Sequence, residues 1–314
     1  MAEAGMPPEF ERPLPVPEGA SPFLNDSSYL NFFDADGRTG GMLRVGFRPV
    51  AGAADMTFCL FLQDGSVLFS YRSEPEPAPK AFSAAGLALE PLTPLSRFQA
   101  TYEGYAHHVR EPRDMLRPRE ALSRAPQVRV SLELAYEAVG PPFLVTGLDP
   151  NVALYHYQQP MQVQGRLQWD GESLPIDGFG MRDRSWGPRV WDRVPLYRAL
   201  TCTMGPELAF MSQVTLKEPP ETFGAIIEGF AHIRTARAAG CAWQPTTRPP
   251  FHRSVSFHLH TDDGPHIVEG RIIHQVPTRF KTGQGVTIIV VAMCRYRYRQ
   301  REAYGLYEYA ERGD

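Results

Sequence analysis

The chain has 314 residues, 43% of them hydrophobic and 21% charged, with a formal net charge of -3. That length suits two cores, and that balance is the one of a folded globular protein. The near-neutral charge argues against a basic nucleic-acid surface, and 30 prolines with 27 glycines argue against a helical bundle.

Residues 1–22 are acidic and proline-rich, without a basic stretch or an apolar run. They read as an extended arm and not as a secretory signal. From Tyr29 the pattern becomes β. Tyr29–Phe33 is a short strand, and Asp34-Ala35-Asp36-Gly37 is a turn. Gly41–Pro49 alternates, with Leu43, Val45 and Phe47 on one face and Arg44, Gly46 and Arg48 on the other. Met56–Leu62, Val67–Tyr71, Phe98–Tyr105 and Val128–Tyr136 follow as strands. Val109–Arg124, charged and broken by Pro112 and Pro118, is a loop with a short helix. The Gly- and Pro-rich stretch from Gly140 to Pro150 divides an N-terminal domain (23–150) from a C-terminal one (151–314).

The second half repeats the style. Met161–Trp169, Leu196–Met204, Leu208–Leu216, Phe223–Arg234, Val255–His260 and Ile267–His274 read as strands. Val286–Arg301 reads as the last long strand, and Arg295, Arg297, Arg299 and Arg301 give it a solvated basic edge. Many short strands and no helical periodicity predict an all-β protein of barrels or sandwiches. The longest apolar run, Val286–Cys294, is too short for a helical membrane span. Cys59, Cys202, Cys241 and Cys294 form no CxxC pair and read as buried free thiols, which points to a cytoplasmic protein.

Ile176–Trp191, IDGFGMRDRSWGPRVW, is the densest mixture of charge, aromatics and turn formers in the chain. Asp183 stands between Arg182 and Arg184, with Trp186 and Trp191 close behind. A turn aspartate and a barrel-plugging Trp–Arg pair would need no catalysis, and that structural reading is about as strong as the catalytic one. The segment resembles the Gly-Xaa-Gly…Asp-(His/Arg)-Xaa-Trp-Gly signature of the AttH/CrtC-like superfamily, which includes carotenoid 1,2-hydratase. It looks closest to an uncharacterised bacterial branch. YLNFFDADGRTGGMLRVGFRP and HYQQPMQVQGRLQWDG are similar to that branch as well, so the resemblance touches both halves. It implies two packed lipocalin-like β-barrels with an apolar cavity. It also implies hydration, isomerisation or cyclisation at a C=C bond of an isoprenoid- or steroid-like molecule. Arg184 stands where relatives have His, and Gln158 where an acid is frequent.

Protonating an unactivated C=C bond needs a strong, dry acid, and a carboxyl group in an apolar pocket has its pKa raised. Asp183 is the first candidate for that acid. Strand geometry would turn Arg182 and Arg184 to the face away from it. Trp186 or Trp191 could stabilise a carbocation through the ring quadrupole. His156 or Tyr157 could position water or take the second proton. Arg184 could line the site, and Glu228, an acid in an apolar strand, is a second donor or, by preference, the partner of an Arg. His258 and His260 share a strand face with metal-ligand spacing, but a solvated polar face is the stronger reading for them and for His266 and His274. There is no nucleophile elbow, dinucleotide fingerprint or phosphate loop, so the chemistry read here is cofactor-free. The contrasting reading is a carrier of apolar ligands that performs no chemistry. Both readings require an apolar hollow enclosed by β-structure.

Overall fold

The computed structural model describes residues 7–283 and 285–313, so residues 1–6 of the expected arm lie outside the described residues. The protein is all-β, as expected. The first eleven strands are β1 (Leu24–Asp34), β2 (Thr39–Arg48), β3 (Ala53–Leu62), β4 (Val67–Pro75), β5 (Phe82–Ala84), β6 (Leu87–Thr93), β7 (Arg97–Val109), β8 (Gln127–Ala138), β9 (Phe143–Leu144), β10 (Tyr155–Trp169) and β11 (Glu172–Pro188). They form one antiparallel sheet in the order β4-β3-β2-β1-β11-β10-β8-β7, and pairing of β4 with β7 closes it into a barrel. Closure removes the exposed edges that would otherwise invite pairing with other chains. The short helix expected after Val109 is α1 (Pro118–Arg124).

The remaining strands are β12 (Tyr197–Thr203), β13 (Ala209–Thr215), β14 (Thr222–Glu228), β15 (His232–Thr235), β16 (Ala238–Pro245), β17 (His252–Thr261), β18 (Gly264–Thr282), β19 (Gly285–Tyr298) and β20 (Arg301–Gly313). They form a second sheet in the order β15-β14-β13-β12-β20-β19-β18-β17-β16. The link between β15 and β16 bridges its edges: Ala236 N donates to Gly224 O and Arg237 N to His260 O, each at 2.8 Å. The chain is therefore two curled barrels in tandem.

Two expectations are corrected here. The chain changes sheets between Pro188 and Tyr197 and not at 140–150, because β10 and β11 return to pair with β8 and β1. The strand expected to run to Arg301 turns back at Arg299, which takes a left-handed φ of 56°, and a further strand, β20, follows.

The barrel interiors are filled. Leu43, Val45 and Phe47 point inward with Phe58, Leu60 and Val130, all fully buried. Phe257, Leu259, Tyr296, Tyr307 and Tyr309 do the same in the second barrel. Each such side chain contributes roughly 1.5–3 kcal/mol by leaving water, and an empty centre would forfeit those contacts. The apolar hollow inside a barrel, expected for both the enzyme and the carrier, is not what these interiors form. An open surface groove of about 500 Å³ is lined by residues such as Leu116, Arg119, Arg279 and Phe280 and lies outside both barrel interiors.

The barrels pack against each other along β1 and β11 on one side and β12, β13 and β20 on the other. Phe33, Met42, Phe61, Val291, Met293 and Leu306 make an apolar seal between them. Asn31 Nδ2 donates to Thr201 Oγ1 at 3.2 Å, and Thr203 Oγ1 to Gly180 O at 2.8 Å. No helix among the described residues is long and apolar enough to cross a membrane.

Candidate active site

Strand β11 sorts its side chains by alternation, so neighbours in sequence face opposite ways. Arg182 and Arg184 point into the mouth of the first barrel. There the arm, with a 3-10 turn at Pro8–Glu11, folds across the opening. Arg182 pairs with Glu11 and stacks over Phe98 at 4.2 Å; Arg184 pairs with Asp26, stacks over Phe82, and donates to Phe10 O and Arg12 O. The part of the extended arm from Pro8 to Leu14 is thus docked on the first barrel as a plug, while residues 15–19 are exposed. Asp183 points the other way, toward the second barrel, as strand geometry requires.

Register places Asp183 in a row across four strands: Arg44 on β2, Tyr29 on β1, Asp183 on β11 and Gln158 on β10. One step along β10, His156 Nε2 meets Asp183 Oδ2 at 2.6 Å, and Gln158 Nε2 donates to the same oxygen at 2.8 Å. The side chains of Asp183 and His156 keep 19% and 16% of their surface accessible although they lie deep in the molecule, so they line a seam that water enters. Burial alone would raise the Asp183 carboxyl. His156, by charge and hydrogen bond, then Gln158 and the charge of Arg189, outweigh burial and hold it below its ordinary value. This runs against the expectation of a proton-holding acid: the surroundings of Asp183 favour its carboxylate form, with His156 and Gln158 bonded to one oxygen. A carboxylate accepting at Nε2 assigns the proton there and leaves Nδ1 as the basic nitrogen.

The second barrel answers with a row of its own: Glu308 on β20, Ala199 on β12, Gln213 on β13 and Phe223 on β14. The Phe223 ring meets His156 edge-on at 6.3 Å. Glu308 accepts a hydrogen bond from the Tyr197 hydroxyl. Burial pushes the Glu308 carboxyl up and the charge of Asp183 adds to it, while Tyr197, Arg189 and Arg44 pull it back without cancelling the rise. Tyr29, a member of the first row, is raised well above the ordinary phenol value by burial and by the charges of Glu308 and Asp183. Gln158 Oε1 is buried without a partner. Further along, Met181 packs on Met211 and Ala225 and closes the seam.

The other expected residues do not join this row. Trp186 shares the plug face of β11 with Arg184 and packs against Tyr155 at 5.7 Å, so it does not stand beside Asp183. The Tyr157 hydroxyl donates to Glu11 at 2.6 Å inside the plug. Trp191 stacks on Phe280 at 4.8 Å. Glu228 takes Arg234 as partner at 2.7 Å, the preferred reading for that acid. His258 contacts Ser256, and His266 contacts Tyr298 and Asp263. Among the described residues, no three His, Cys, Asp or Glu side chains gather as a metal site would require. Sequence reasoning paired Asp183 with His156 in one site but missed Glu308, Arg44, Arg189 and Tyr29. Glu308 had a signal, an acid alternating with Tyr307 and Tyr309, but it lay beyond the strand expected to be last.

No curated protein sequence matches the chain. Solved structures share its fold. A protein described as AttH (NE1406) from Nitrosomonas europaea aligns with a TM-score of 0.62 at 13% identity, covering 94% of this chain and 96% of that one. Kievitone hydratase from Nectria haematococca aligns at 0.57 and 10% identity, over 98% and 95%. CghA aligns at 0.55 and 12% identity, over 94% and 90%. These likenesses establish the two-barrel, lipocalin-like architecture expected from the sequence. The profile of the family described as Domain of unknown function (DUF7064) matches residues 12–313, and the chain belongs to that family.

Proposed function

We propose that this member of the DUF7064 family is a cofactor-free acid–base enzyme. It adds water across a C=C bond of a small, mainly apolar molecule such as an isoprenoid, or moves or cyclises that bond, in the seam between the barrels. One observation carries the reading. Two carboxyl groups from different barrels share the seam, and their surroundings push them apart, Asp183 down and Glu308 up. Such a split is how a protein assigns one group as acid and another to the base side.

In this reading Glu308 gives its proton to the alkene carbon. Nδ1 of His156 takes a proton from the attacking water, and Asp183 holds the ring and balances the imidazolium that forms. Tyr197 steadies Glu308. Ala199, the small residue in the middle of the second row, leaves room for the substrate. Kievitone hydratase, which has this fold, is a hydratase by name, and that favours the hydratase form of the reaction. The four unpaired cysteines support a reducing, cytoplasmic setting. A carrier, like the enzyme, would have to hold its ligand in the seam, because both barrel interiors are packed, and the paired carboxyl groups there favour the enzyme.

The test is incubation of the protein with a lipid extract and mass analysis against Glu308→Gln and His156→Asn. A species gaining one water, or an isomer of unchanged mass, should form with the unaltered protein and fail with both variants. A ligand retained unchanged by all three proteins would sink the enzymatic reading.

A further inference from the structure

The deeply placed arginines of this protein fall into two groups. Arg182, Arg184 and Arg198 each take a carboxylate, from Glu11, Asp26 and Glu311 respectively. That is the usual condition for a guanidinium removed from bulk water. Arg44 and Arg189 depart from it: among the described residues neither has a carboxylate within 4 Å. Arg44 Nη2 donates to Asn25 Oδ1 at 3.1 Å, and Arg189 Nη2 to Ser185 Oγ at 3.2 Å. Asn25 and Ser185 both reach Ser27, so the two guanidinium groups are joined by a chain of neutral side chains. Burial lowers the pKa of both, and in Arg44 the charge of Arg189 lowers it further.

Their positions are built. Arg44 lies flat over Gly46, where a Cβ would stand 2.3 Å from its Nη2. The lack of a side chain at Gly46 thus makes the bed for the guanidinium. Both arginines are partly exposed and lie near enough to Asp183 and Glu308 to act on them by charge, and each guanidinium has five N–H donors with only one used. Asp183 acts on both guanidinium groups by charge, and Asp55 acts on Arg44 from β3, but none of these carboxylates stands within pairing distance of either.

We propose that Arg44 and Arg189 form an anion subsite of the seam and that its small-molecule ligand carries an acidic oxygen, a carboxylate or an equally acidic enol, beside its apolar skeleton. This deepens the acid–base reading and rests on the same seam, but it concerns binding and not turnover. Guanidinium groups suit such oxygens because planar N–H pairs match their geometry. Held there, the charged end would fix which carbon of the skeleton faces Glu308.

Calorimetric titration of the full chain with octanoate and with octanol tests this. The two probes share a chain length and differ in the charged end. Octanoate should bind the unaltered protein more tightly by on the order of tenfold or more, the scale of a lost charge-assisted pair. Arg44→Gln and Arg189→Gln should each erase most of that preference and leave octanol binding unchanged. Gly46→Ala, which keeps both charges but displaces the Arg44 head group, should weaken octanoate as well. Equal binding of both probes, no octanoate binding, or an octanoate preference that survives all three substitutions overturns the subsite. A preference that stands while Glu308→Gln still turns substrate over would leave the subsite intact and refute the catalytic assignment. Loss of turnover in Glu308→Gln without any preference would do the reverse.

Discussion

Glu308 and Asp183 reach one seam from different barrels, and the protein moves their acidities in opposite directions. The cause is local. Asp183 receives two hydrogen bonds on one oxygen, from His156 and Gln158, whereas Glu308 has the single phenol of Tyr197 to set against its burial. The first arrangement favours a charge and the second tolerates a proton.

Replacing the proton donor should separate activity from stability. Glu308→Gln keeps an acceptor for Tyr197 and removes the proton, so activity should fall by about 10²-fold or more while the fold persists. Stability carries a second signature. A carboxyl with a raised pKa binds its proton more firmly folded than unfolded, so stability falls as pH climbs from its ordinary value through the raised one. Melting temperatures measured on both sides of that window should show a smaller decline in Glu308→Gln than in the unaltered protein. An equal decline would place the titrating group elsewhere.

Asp183→Asn should act with the opposite sign. A depressed pKa contributes stability at neutral pH, and that contribution is lost as pH falls below the ordinary 3.8 through the depressed value. Acid unfolding of the unaltered protein should therefore include a component in that range which Asp183→Asn lacks, and the variant should be less stable at pH 7. Activity should fall with it, because an amide no longer holds the proton on Nε2 of His156. Unchanged activity would remove Asp183 from any role in positioning that ring.

Much of this architecture was legible because alternation is a strong signal wherever one strand face is apolar. Leu43, Val45 and Phe47 gave a strand with a known inside, and the opposed faces of Asp183 and its flanking arginines followed from the same rule. Hidden features had local reasons. The turn at Arg299 carries no glycine, proline or asparagine to mark it, so β20 and Glu308 were lost together. Trp186 stands three residues from Asp183 and on the other face, so density of motif misled where parity would have decided. Asp183 has its arginine neighbours on the far face and its real partners, His156 and Gln158, on another strand. Nothing in the RDRSWG run displays them.

The plug over the first barrel yields a stability prediction. Glu11 and Arg182 are 3% and 2% exposed, and removing one leaves the other charge buried and unmatched. Glu11→Ala should cost about 3–5 kcal/mol in urea unfolding, whereas the double variant Glu11→Leu with Arg182→Met should recover most of it. Failure of the double variant to recover would mean that the arm's contribution lies mainly in its backbone contacts with Arg184.

Ala199 offers the sharpest test of where the site is. It sits between Glu308 and Gln213 in the middle of the second barrel's row, partly open, and faces the Asp183 row across the seam. A larger apolar side chain there would occupy the space assigned to substrate and crowd Glu308, its direct cross-strand neighbour. Ala199→Leu should abolish ligand binding and turnover together, with a destabilisation of about 1–3 kcal/mol, since Ala199 packs beside Tyr197, Ile289 and Ala310 and the added carbons must be accommodated there. Ligand binding that persists in a folded Ala199→Leu protein would place the ligand outside the seam. The acid–base assignments of Glu308 and His156 would then have no substrate to act on.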